Sequence, residues 1–140
     1  MTPTSAVIEW AKGLLLADAT VTSLVADRIF DTVAPPGTSG DMILLLRQSY
    51  TERGTSQSGE LGTGRMLLTV KSVCRSTGLA RNEAINEAAH TVLQGQNGTS
   101  GGHTISKCIR EQIHSPYPET APGQGVQYNH YPMVYCLMVD

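Results

Sequence analysis

"MILLLRQSYTERGTSQSGELGTGRMLLTVKSV" occupies residues 42–73. Two apolar runs, "MILLLRQSY" at 42–50 and "MLLTVKSV" at 66–73, flank a polar stretch rich in Gly, Ser and Thr. The second run alternates, with Met66, Leu68 and Val70 on one side and Thr69 and Lys71 on the other. That is the period of a half-buried strand. The first opens on consecutive apolar residues, Met42 to Leu46, which predicts burial on both faces at its start. Strands over 42–50 and 65–75 then form a hairpin. A hairpin turns in about two to five residues, and the connection 51–65 is much longer. It is an arm, with Glu52, Arg53, Gln57, Glu60 and Arg65 as its long polar side chains.

The elements around this hairpin follow from local signals. Thr2-Pro3 reads as an N-cap with proline in the first turn. Val7, Trp10, Ala11, Leu14 and Leu15 recur at helical spacing, so 3–17 is an amphipathic helix anchored by Trp10. Gly13 weakens it by about 1 kcal/mol. Asp18 or Thr20 caps a short second helix through Val25. "RIFDTV" at 28–33 reads as a short strand, and "APPGTSGD" at 34–41 as a loop. In "STGLARNEAINEAAHTVLQG" at 76–95, Ser76 or Thr77 caps a helix and Gly95 stops it. Its stripe is Leu79, Ala84, Ile85, Ala88, Ala89, Val92 and Leu93.

"HTISKCIREQIH" at 103–114 fits either period. Its β-branched residues and the preceding glycine pair favour a strand, with Ile105, Ile109 and Ile113 on one face. "SPYPETAPGQG" is a Pro-rich loop. Residues 126–139 end the chain as a strand, and Pro132 within it predicts an edge position or a bulge. The expected fold class is α+β: an antiparallel or mixed sheet of four or five strands, two helices packed on one face, and a long β-hairpin arm. A single domain covers 1–140.

The totals narrow the function. The chain has 140 residues, 16% of them charged, and a net charge of −2. The average soluble domain carries ~25% charged residues, so this surface is sparsely charged; either it favours association or Ser, Thr, Gly and Gln do the solubilising. No basic excess marks a nucleic-acid binder. Cys74, Cys108 and Cys136 are odd in number and widely spaced, which predicts buried free thiols in a reducing compartment. "LLLADA" at 14–19 is too short for a signal peptide core, and no run approaches the ~20 apolar residues of a membrane span. The expectation is a chain folded in a cytoplasm.

The search for chemistry returns little. His90, His103, His114 and His130 lack a second pair at metal-ligand spacing and read as surface or loop histidines. "GELGTGR" at 59–65 is similar to a phosphate loop but lacks its Gly-Lys-Ser/Thr ending. It also leads into a strand, where such a loop must open a helix. Glu83 and Glu87 lie four apart on the second long helix and read as a solvated face. No serine sits in a strand–turn–helix elbow, and "NGT" at 97–99 is a chance sequon. No catalytic residue, metal or cofactor is expected. The unusual features are three generous loops: the arm, "APPGTSG" and "SPYPETAPGQG".

In order and wording these elements resemble the tail-completion (tail terminator) family of long-tailed bacteriophages. That family follows its first helix with "ad..l..lvg.riy" and then "d.aPqg". "LLLADATVTSLVADRIF" supplies Leu24, Val25, Arg28, Ile29 and Phe30 in those places, and Pro35-Pro36-Gly37 follow. The strand at 42–50 stands where the family has "PYI..", with Met42 replacing the proline-tyrosine start. Glu83-Ala84 and Ala88-Ala89 match "ea..la..v...L", and "YPE…GVQYNHYPMVYCLMV" is similar to the family's last strand. The likeness runs nearly end to end; the arm is longer than usual and "GQNGTSGGH" departs.

The resemblance implies a structural virion protein without catalytic residues. It implies a homo-oligomeric ring, commonly of six copies, on the head-proximal end of the tail tube. The ring would stop tube growth and dock the head-tail connector or stopper. Its partners would be the major tail tube protein and that connector, with genomic DNA passing through the lumen without specific binding. Localisation would be the virion tail or neck, after assembly in the host cytoplasm, with no membrane partner. The arm would then be a contact element using Glu52, Arg53, Gln57, Glu60 and Arg65. Other readings are a neck or head-tail joining protein, a small hydrolase or ligand-binding α+β domain, and a plain dimer.

Overall fold

The computed structural model describes residues 1–52, 63–75, 78–120 and 127–140. In chain order these form α1 (Pro3–Leu16), α2 (Ala19–Val25), β1 (Ile29–Asp31), β2 (Met42–Glu52) and β3 (Gly64–Cys74). They continue with α3 (Ala80–Leu93), β4 (Gly98–Ser100), β5 (His103–Ile113), β6 (Tyr117–Thr120) and β7 (Gln127–Val139). One sheet holds the strands in the order β1-β2-β3-β7-β5-β4, with β6 also on β7. The hairpin is as expected: β2 and β3 pair antiparallel from Met42↔Val73 to Glu52↔Gly64.

The sheet is larger than expected and mixed. Among the described residues it has seven strands, not four or five. Two of the additions, β4 and β6, are three and four residues long, too short to leave a period in the sequence. The third departure is β1, which pairs parallel with β2 at Phe30↔Leu44. Residues 32–41 carry the chain back across the sheet end without a helix. Arg28 and Arg81 hold that return: Arg28 Nε donates to the Asp41 carbonyl at 2.8 Å, and the Arg81 guanidinium pairs with the buried Asp41 carboxylate.

The caps mostly follow the signals. Thr2 Oγ1 accepts from Ser5 N at 3.2 Å with proline in the first turn of α1. Asp18, not Thr20, caps α2, accepting from Val21 N at 2.9 Å. The Ser76 and Thr77 caps expected for α3 lie outside the described residues. Gly95 ends that helix with φ +77° and donates to the Cys108 carbonyl at 2.7 Å.

All three helices pack on one face of the sheet. Met66, Leu68 and Val70 of β3 and Met133, Tyr135, Leu137 and Val139 of β7 meet Val7, Trp10, Ala11 and Leu15 of α1 and Ile85, Ala89 and Leu93 of α3 in one core. Each fully buried aliphatic or aromatic side chain contributes about 1.5–3 kcal/mol. The α3 stripe differs from the apolar reading. Asn82 and Asn86 are buried and Ala84 is exposed. Asn82 Nδ2 lies within bonding distance of the Ser72 carbonyl at 3.2 Å and the Asn129 carbonyl at 2.9 Å. Asparagine thus fastens α3 to the sheet where its pattern predicts a polar surface.

Two strand readings need correction. Pro132 is neither in an edge strand nor at a bulge: β7 is central, and Pro132 registers with Lys71 of β3. On its other side it falls between the β6 ladder, which ends at His130, and the β5 ladder, which starts at Met133. The Pro132 carbonyl faces that gap, accepting from His114 N at 3.0 Å. A strand residue's N and C=O point the same way, so the missing N–H also faces the gap. In β5, Ile105, Ile109 and Ile113 do not share a buried face. The register shifts between Ser106 and Ile109 and again between Arg110 and Gln112. Lys107 has φ +57°, with its N–H held by Asn97 Oδ1 at 2.9 Å. That bulge turns Cys108 inward beside Ile105 and leaves Ile109 and Ile113 exposed.

Close packing of α1 on β4 yields a test. A Cβ at Gly98 would overlap the Trp10 indole, and Trp10 is the only tryptophan. Gly98→Ala is expected to destabilise the fold by roughly 1–3 kcal/mol and to shift Trp10 emission, both read in one urea titration followed by fluorescence.

Candidate functional site

The arm root is built by the ends of β2 and β3. Thr51 faces Arg65 and Glu52 faces Gly64 in register. Tyr50 packs against the core, and a Cβ at Gly64 would overlap its ring. Arg65 lies on the face away from the helices and reaches across β7. Its Nη2 donates to Glu111 Oε1 of β5 at 2.9 Å and its Nε contacts Cys136 Sγ at 3.2 Å. Glu52 is exposed. Arg53, Gln57 and Glu60 lie outside the described residues. Of the five expected contact residues, two fall at the root but on opposite faces of the sheet, Glu52 in register with Gly64 and Arg65 with Thr51, and Arg65 is tied into its own sheet.

No described helix covers the face that Arg65 shares. Leu44, Leu46, Leu67, Cys136 and Met138 are half-buried there, and Ile109 is 45% exposed. Charge is confined to its ends: the Arg65–Glu111 pair at one, and Lys71 with Glu119 at the other. Near Lys71 a groove of about 500 Å³ is walled by Thr32, Val33 and Thr38 on one side and Glu119 on the other. Two of the three loops singled out in the sequence thus border one groove. Met42, Leu44, Val73 and His130 floor it.

His130 is buried, not on the surface or in a loop. The Tyr117 ring stacks on it with centroids 4.8 Å apart. Its Nε2 lies 2.6 Å from Glu119 Oε2, off the line a hydrogen bond needs, and its Nδ1 has no hydrogen-bond partner among the described residues. Burial holds its pKa below the ordinary histidine value; Lys71 adds to the lowering, and Glu119 opposes it. Lys71 Nζ lies 3.2 Å from Tyr117 Oη, and no described carboxylate pairs with it.

On the helix side, a second cleft of about 340 Å³ lies between α3 and the β5–β7 ladder. Glu83, Asn86, Glu87 and His90 line it from one face of α3, with Arg110, Ile113, Tyr131 and Met133 opposite. His90 Nδ1 is 2.9 Å from Tyr135 Oη, so this histidine too is engaged inside the fold. Burial and then Arg110 lower its pKa. Glu83 and Glu87 are exposed and make no ion pair among the described residues, in keeping with a solvated face.

The cysteines are free. Burial pushes Cys74 and Cys108 up to about 12, so both are inert thiols near neutrality. Cys136 is only half-buried, which corrects the expectation for all three. Among the described residues, no group of three His, Cys, Asp or Glu could hold a metal ion, and no helix is long and apolar enough to cross a membrane. The geometry supplies surfaces for contact.

No family model matches the chain and no curated protein matches it. Among solved structures, a chain from the virion of a native gene transfer agent (GTA) particle is similar, with a TM-score of 0.69 at 12% identity over 98% of each chain. A second solved chain is similar at a TM-score of 0.50 and 14% identity, over 97% of this chain and 89% of that one. At these identities the likeness defines a shared fold.

His90 and the buried His130 both have pKa values below the ~6.5 of the unfolded chain. Above that pH neither state binds the protons, and their contribution to stability is whole. As pH falls below it the unfolded chain binds them first, so stability drops until the folded values are reached. Melting temperature should therefore fall between pH 7.5 and 5.5. His130→Gln should flatten that slope in a thermal scan series.

Proposed function

We propose that this chain is a structural virion protein, and more narrowly a tail terminator. The observation that carries the reading is the end-to-end likeness to a GTA virion chain. The sheet face that no described helix covers supports it, because its half-buried apolar residues are suited to burial by neighbouring subunits. In this reading copies of the chain close into a ring, commonly of six, through a heterologous interface. The ring caps the head-proximal end of the tail tube, meets the tube protein below and the head-tail connector or stopper above, and lets DNA pass. Its net charge of −2 suits a lumen to which DNA does not adhere. The chain performs no catalytic step and resides in the virion tail, after assembly in the host cytoplasm.

The arm is the contact element of that ring, with Glu52, Arg53, Gln57, Glu60 and Arg65 at the joint. Arg65 has a double role: its bonds to Glu111 and Cys136 aim the root, and its remaining donors face outward. Ordering a Gly- and Ser-rich arm costs entropy at assembly, which the buried contact offsets.

Electron micrographs of particles made without this gene test the role. Overlong, headless tails are the expected outcome, because tube growth has lost its stop. Tails of normal length beside filled, tailless heads would move the chain to head-tail joining. Deleting 53–63 is expected to leave a folded protein that remains monomeric in sedimentation; an unfolded product would refute the arm's role as a contact element only.

A further inference from the structure

We infer that the cleft on α3 of one copy receives the Lys71 end of the uncovered sheet face of the next copy, so that a helix-to-sheet contact joins neighbours. This inference rests on the ring reading above and specifies its interface.

The α3 cleft is rich in unused acceptors. Glu83 and Glu87 stand one turn apart without a described cationic partner. Between them Asn86, only 8% exposed, directs its Nδ2 to the Tyr131 carbonyl at 3.3 Å, and its Oδ1 has no hydrogen-bond partner. An acceptor buried without a partner is costly, and a donor entering the cleft would relieve it. Arg110 is the one cation on the opposite wall, with its Nη1 3.6 Å from the Met133 sulfur. Two carboxylates against one guanidinium leave the cleft acidic. Ile113 at its edge is 53% exposed.

The groove on the other face has the complementary character. Lys71 is an ammonium without a described carboxylate partner; its Nζ lies 3.2 Å from Tyr117 Oη, and Glu119 stands across the same groove. Val33 at the wall is 70% exposed. Each site thus pairs an apolar lip with an unmatched polar group, and the unmatched groups are of opposite kind. The charges of one copy answer those of a second copy.

Placement supports the same partner. Tyr131 and Met133 of β7 border the cleft, and His130 of the same strand floors the groove. The two sites are therefore back to back across the sheet at one level. Because the sites lie on opposite faces, one copy can hold a neighbour at each, and the contact is heterologous: it closes into a ring where the rotation between neighbours closes and gives a filament where it does not.

Charge exchange tests the pairing. Purified full-length chain is sized by sedimentation velocity across a concentration series, with melting curves to confirm folding. Glu87→Lys alone and Lys71→Glu alone are each expected to lose the assembled species, and the double variant to regain it. Milder Glu87→Gln and Lys71→Gln weaken assembly without repulsion and serve if a reversal unfolds the chain. Wild-type assembly that all single variants share would overturn this interface and leave the ring reading intact. Loss in the singles without rescue in the double would overturn the pairing of these two residues. A wild type that stays monomeric at every concentration would overturn both the ring and this contact.

Discussion

The antiparallel pairing of β3 with β7 is the interaction on which the rest of the molecule depends. It runs unbroken from Gly64↔Val139 to Cys74↔Asn129, and both strands alternate between the helix face and the open face along its length. Met66, Leu68, Met133, Tyr135 and Leu137 give the helices their floor. The same register sends Arg65, Leu67, Thr69, Lys71, Cys136 and Met138 to the other side. A slip of one residue would exchange the two sets, placing Lys71 and Arg65 under α3. The burial of Tyr135, with its hydroxyl satisfied by His90, holds that register on the helix side.

The unequal covering of the two faces follows from the chain order. Both long helices enter on the same side: α1 precedes the strands, and α3 returns between β3 and β4 before β5 pairs with β7. No described segment remains to cross the second face. Its residues are mixed in character, with Leu46, Thr69 and Lys71 half-buried among them, so it tolerates water and gains from contact.

The sequence revealed elements whose signal is a long period. α1, α3, β2, β3 and β7 announce themselves through alternation or helical spacing, and Thr2, Asp18 and Gly95 through their capping chemistry. What escaped was decided by partners far along the chain. β4 and β6 are strands because β5 and β7 lie beside them; "GTS" and "YPET" carry no periodic information. Parallel pairing of β1 goes with the return at 32–41, which Arg81 holds through the buried Asp41. Asn82 and Asn86 broke the apolar stripe because carbonyls of β3 and β7 stand opposite them. The arm root was legible as Glu52 and Arg65, but the attachment of Arg65 to Glu111, across β7 and far along the chain, was not. The two clefts left only faint traces, as an i, i+4 glutamate pair and as two proline-rich loops.

The bulge at Lys107 shows how little separates core from contact surface in such a sheet. In a regular strand Ile105, Ile109 and Ile113 would all face the helices, and β5 would be an apolar strand of the core. One residue in left-handed backbone, fastened by Asn97, costs about 1–3 kcal/mol of strain. In return it puts Cys108, a smaller side chain, against Leu93's side of the core and sends Ile109 to the open face. The second shift, after Arg110, leaves Ile113 at the lip of the α3 cleft. A strand patterned for burial is thereby divided among the core, the open face and the lip of the α3 cleft.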